Sequence, residues 1–170
     1  MINVIYVGYP CDSRDVPTWV EETIAQFKDR AAFYLSGGQI VPQTMVELAS
    51  RSVSASRVER LSTVASGRYS ARLTPSLLEA RGDKISAYAM QNPFNIEGLV
   101  MQDLWVLLRS DYFVVDLDSL GRGRVGLELA YASMLGLKTI GVTQCAVADP
   151  WMTYHVDRVC KPGRIAEEIQ

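Results

Sequence analysis

The chain has 170 residues, 48% of them hydrophobic and 21% charged, with a formal net charge of −2; that describes one globular domain long enough to bury a core. The near-neutral balance argues against a general nucleic-acid or membrane-surface binder, which would need a basic face. Three scattered cysteines without a CxxC pair and a single histidine, His155, disfavour a disulfide framework, a metal site and a histidine-based nucleophilic relay.

Residues 2–8, INVIYVG, read as a buried parallel strand ending in Gly8. Asp12 or Ser13 can cap a helix over Val16–Asp29, and Ala32–Ser36 reads as a second strand closed by Gly37 and Gly38. Residues 39–95 lean helical but are serine-rich and weakly amphipathic, which suits an insert acting as a lid, an oligomer arm or a substrate loop. The signal then sharpens. A helix is expected over Glu97–Arg109, a strand over Asp111–Leu117, a helix over Val125–Leu135 stopped by Gly136, and a strand over Lys138–Thr143. A short strand at Val156–Cys160 and a helix at Gly163–Ile169 complete the pattern. Alternating strands and helices predict a single α/β domain: a three-layer, Rossmann-like (flavodoxin-like) parallel sheet flanked by helices. No window reaches the roughly 18 apolar residues of a membrane span, and INVIYVG is only strand length, so a cytoplasmic protein is expected.

In such folds ligands sit at the carboxyl ends of the strands, which directs attention to Gly8, to Asp116–Arg124 and to Thr143–Ala146. Gly121, Gly123 and Gly126 satisfy G-x-G-x-x-G between a strand and a helix. A dinucleotide site is disfavoured, because this is a late βα unit and the acid expected about 20 residues on is missing; no cofactor is expected. An anion- or sugar-binding loop fits better, with helix-end N–H groups and the cations Arg122 and Arg124. Glu128 is placed in the first turn of the following helix, where the dipole would lower its pKa and keep it ionised as a nucleophile; a plain dipole-favoured residue is the alternative.

Asp103 falls in the middle of a face formed by Leu99, Val100, Leu104, Val106 and Leu107. A carboxyl group there needs a partner or a cavity; the functional reading is a raised pKa and a proton to donate. Tyr6 points along the first strand, either to pack in the core or to orient a carboxylate with its hydroxyl. Asp116 ends the third strand, and Asp12 with Arg14 opens the first helix; these join Gly8 as substrate-facing candidates.

The stretch MQDLWVLLRSDYFVVDLD, followed by GLELAYASMLGLKTIGV, resembles the core of the nucleoside 2-deoxyribosyltransferase family, which shares the pattern with 2'-deoxynucleoside 5'-monophosphate N-glycosidases. VIYVGYPCDSR is similar to the family's opening, and PWMTYHVDRV to its late segment; the match covers roughly half of the chain and leaves out residues 39–95. The resemblance implies that Glu128 is the nucleophile, that Asp103 hands a proton to the departing base, and that Tyr6 orients the nucleophile. It places Gly126 in the sugar-binding turn and makes Met152 a residue donated across a homodimer or higher homo-oligomer interface. It implies a small-molecule nucleoside, nucleotide or nucleobase as partner, and transfer or hydrolysis in nucleotide salvage. Two positions depart from the pattern. Ala130 replaces a glycine, and Arg122 stands where the transferases have an aspartate holding the sugar 5'-hydroxyl. An arginine there welcomes a phosphate, which favours nucleoside 5'-monophosphates. A non-catalytic nucleotide-binding module is the reading from another class.

Overall fold

The computed structural model describes residues 2–10, 16–27, 30–36, 39–40, 42–64, 96–118, 123–146 and 149–169. Within them the strands are β1 (Asn3–Gly8), β2 (Ala31–Leu35), β3 (Gln39–Ile40), β4 (Tyr112–Asp116), β5 (Lys138–Val142) and β6 (Arg158–Cys160). The helices are α1 (Thr18–Phe27), α2 (Pro42–Ser50), α3 (Ala55–Val64), α4 (Ile96–Leu107), α5 (Gly123–Leu135), α6 (Pro150–Tyr154) and α7 (Ile165–Glu168). One sheet has the order β3-β2-β1-β4-β5-β6. Five strands run parallel, and the two-residue edge strand β3 pairs antiparallel with β2. This is the expected three-layer α/β fold. The chain steps outward from β1 to β2 and, later, from β4 to β5, so the order reverses between β1 and β4; crevices that hold ligands form at such a point.

The period-two alternation of the strands builds two cores. Val4, Tyr6, Ala32, Tyr34, Phe113 and Val115 face one side, where Leu48 of α2, Leu61 of α3, Leu104–Leu108 and the buried face of α5 cover them. Ile5, Val7, Phe33, Leu35, Val114 and Ile140 face the other, under α1 and α7. Both faces being covered explains why the central strands read as continuous apolar runs. Among the described residues no helix is long and apolar enough to cross a membrane.

The opening of the segment read as an insert belongs to the layered fold. α2 packs on β1 and β2 and α3 packs against α5, with Leu48 and Leu61 in one buried cluster, each worth about 2 kcal/mol when buried. Arg51 pairs with Asp111 at 2.6 Å and reaches the Ile2 carbonyl, while Arg57 donates to the carbonyls of Leu108 and Ser110. Residues 65–95 lie outside the described residues.

Candidate active site

Side chains from four elements meet on the α2–α5 side of the sheet. Tyr6 and Tyr34 are register partners on β1 and β2 and point the same way; their rings lie 4.9 Å apart, and Phe113 flanks Tyr6 at 5.3 Å. Ser36 follows β2 directly. Asp103 comes from α4, and Arg124 and Glu128 lie one turn apart on α5. Asp103 and Glu128 are 8% and 5% exposed.

Arg124 joins the two carboxyl groups. Its Nη2 donates to Asp103 Oδ2 at 2.6 Å and its Nε donates to Glu128 Oε1 at 2.8 Å. The i, i+4 spacing on α5 delivers the second contact, whereas the first is a tertiary contact across 21 residues. Each carboxyl has a further hydroxyl donor. Ser36 Oγ lies 3.1 and 3.0 Å from the two oxygens of Glu128. Tyr34 donates to Asp103 Oδ1 at 2.8 Å and accepts from Gln102 Nε2 at 3.2 Å. The Tyr6 hydroxyl is near enough to favour the ionised form of Asp103, yet it is fully buried and, among the described residues, has no partner at hydrogen-bonding distance.

Burial sets the proton affinities. It pushes Glu128 up to about 7, with the facing Asp103 adding to the rise and Arg124 and Ser36 opposing it. Asp103 is raised for the same first reason, against the pull of Arg124 and the Tyr34 hydrogen bond. Burial, then the neighbouring carboxylates, drives both tyrosines well above their ordinary range. The direction for Glu128 corrects the expectation of a depressed value. α5 begins at Gly123, two residues earlier than expected, so Glu128 lies beyond its first turn and desolvation outweighs the dipole.

Other expected residues fall differently. Gly126 lies inside α5 rather than in a turn, and a Cβ on it would stand 3.7 Å from Met152 Sδ. Met152 thus packs, partly buried, against α5 of its own chain. Val100, expected on an apolar face of α4, is 46% exposed, while burial runs unbroken over Gln102–Ser110. Gly8 meets β4: a Cβ there would lie 2.7 Å from Phe113 Cζ. Asp116 accepts from the Asp118 N–H at 2.9 Å, and Asp118 ties down the turn after β5 through Thr143 and Gln144. Asp12, Arg14, Arg122 and Gly121 lie outside the described residues. Arg124, read as a substrate-facing cation, is held by both carboxyl groups with its side chain 36% exposed.

Ser36, Tyr34 and Gln102 were not singled out from sequence. Signals existed for two of them: Ser36 ends an expected strand at the ligand-binding edge of the sheet, and Tyr34 shares the spacing of Tyr6 from its expected strand end; nothing in the sequence marked Gln102. A separate groove of about 950 Å³ lies past β5 and β6, between Thr143, Tyr154, Lys161 and Arg164, and contains none of these residues. The chain matches no protein-family model and no curated protein.

Proposed function

We propose that the protein cleaves the N-glycosidic bond of a nucleoside or nucleoside 5'-monophosphate through a covalent glycosyl–Glu128 intermediate and transfers the sugar to a second nucleobase. The observation that carries this reading is the convergence of Asp103 and Glu128 on one guanidinium. Retaining cleavage needs two close carboxyl groups with different tasks, in contrast to the wider spacing, about 6.5–9.5 Å, that leaves room for an attacking water. Glu128 attacks the anomeric carbon as the bond to the base breaks, and Asp103 protonates the departing nitrogen. The Ser36 hydroxyl, its one proton within reach of both Glu128 oxygens, fixes the carboxylate in orientation. The second base displaces Glu128 from the sugar and returns its proton to Asp103. Water in place of the second base makes the same steps a hydrolysis.

The test incubates the protein with deoxynucleosides and their 5'-monophosphates, with and without an acceptor base. Base exchange without free sugar supports transfer, and release of sugar phosphate supports hydrolysis. Ligand-induced thermal shifts without any cleavage would replace both with a nucleotide-binding module.

A further inference from the structure

The guanidinium that joins the carboxyl groups also stands in the way of the proposed reaction. Arg124, paired with Asp103 at 2.6 Å, favours its ionised form against the burial that raises its proton affinity, yet Asp103 has to carry a proton to act as an acid. The proton has to arrive when Arg124 leaves. Every charged or titratable group that faces the pair among the described residues supports this logic. Tyr6 from β1 and Tyr34 from β2 are phenols raised well above their usual range and remain neutral; Ser36 is uncharged; Arg124 is the counter-charge that both carboxyl groups touch. With the guanidinium gone, two desolvated like charges face each other, and such a pair holds one proton in common.

Two features indicate what draws Arg124 away. Its side chain is 36% exposed, whereas those of Asp103 and Glu128 are 11% and 7% exposed, so it is the member of the cluster that a ligand meets first. It also stands in the first turn of α5, a 13-residue helix, where backbone N–H groups and the dipole favour an anion. The Tyr6 hydroxyl, fully buried beside Asp103 and without a partner at hydrogen-bonding distance among the described residues, marks the cluster as a place where a polar ligand atom completes the bonding.

We propose that Arg124 is a displaceable clamp: an anionic group on the ligand draws its guanidinium off Asp103 and Glu128, and the released pair takes up one proton from solvent. This deepens the glycosidic reading, on which the use of that proton by Asp103 rests. Arg124 is a positioning residue here, acting on the reaction through the protonation of the pair. Anion binding and arming of the acid become one event, so a ligand with a phosphate is processed and one without it meets an unarmed site.

The experiment follows the carboxyl carbons of Asp103 and Glu128 by NMR in the full-length chain carrying 13C-labelled Asp and Glu, assigned with Asp103→Asn and Glu128→Gln, and titrated with pH. In Arg124→Met the upper titration of the pair is expected to rise by about one unit or more. In the wild type, inorganic phosphate added at constant ionic strength is expected to move that titration in the same direction, and in Arg124→Met to leave it in place. Arg124→Lys, which keeps the charge but cannot fork between two carboxylates, should fall between them and serves if the methionine variant does not fold. A wild-type titration indifferent to phosphate, or an arginine variant that titrates like the wild type, overturns the clamp. No turnover is needed for this readout, so a protein that shows the titration response but cleaves no glycosidic bond refutes the reaction and leaves the clamp standing.

Discussion

Glu128 binds its proton far more tightly than a free glutamate because it is buried and faces Asp103. A nucleophile has to be ionised, so kcat/KM is expected to fall roughly tenfold per pH unit below about 7. Glu128→Ala should abolish turnover while circular dichroism shows the fold retained; residual activity near the wild-type level would remove Glu128 from the mechanism. The two hydroxyls beside the carboxyl groups separate by their effects. Ser36→Ala removes the donor that orients Glu128 and should lower kcat by about one order of magnitude with KM little changed. Tyr34→Phe removes the hydrogen bond that holds Asp103 ionised. It should shift the alkaline limb of the pH–rate profile upward, because the acid then keeps its proton to higher pH.

α5 shows how one helix is built to serve the cluster. Arg124 and Glu128 share a face at i, i+4, while Val125, Leu129, Ala132 and Leu135 are buried in the core. Gly136 ends the helix with φ of 73°. Its N–H donates to the Ser133 carbonyl and that of Leu137 to the Ala132 carbonyl, a Schellman closure that satisfies the last carbonyls. Gly136→Ala forces a side chain into that backbone conformation and toward the Arg60 guanidinium, and should cost about 1 kcal/mol in urea unfolding. On β1, Gly8→Ala thrusts a methyl against the Phe113 ring. Phe113 is fully buried and cannot swing away, so a loss of about 1–3 kcal/mol is expected.

For the molecule as a whole, burying Glu128 opposes folding at neutral pH. The folded chain binds this proton with a pKa of about 7 and the unfolded chain with one near 4.5. Between these values the folded state holds more of this proton, so the contribution of Glu128 to stability is greatest below about 4.5, falls as pH rises to about 7 and then levels off. Asp103 is raised too and acts in the same direction. Glu128→Gln should therefore raise the unfolding free energy at neutral pH by on the order of 1–3 kcal/mol and leave it little changed in acid. Thermal unfolding across that range measures the difference, and equal stabilities at neutral pH would contradict it. A protein that keeps such a pair at the cost of stability behaves as functional sites do.

Much of this was written in the chain. Short apolar runs located the strands and helical patterning the later helices, and their alternation implied the parallel sheet, because local hydrophobic pattern and fold agree in a doubly covered sheet. A carboxyl group between Leu99 and Leu107 could be flagged as anomalous from neighbours a few residues away. What needed the folded chain was the convergence: Asp103 and Arg124 are 21 residues apart, Tyr34 and Asp103 are 69 apart, and Ser36 and Glu128 are 92 apart. No spacing rule encodes such contacts, since strand order and register create them. The sign of the Glu128 shift was hidden for the same reason. A dipole can be read from a helix start, whereas desolvation and a facing charge depend on what the other elements bring.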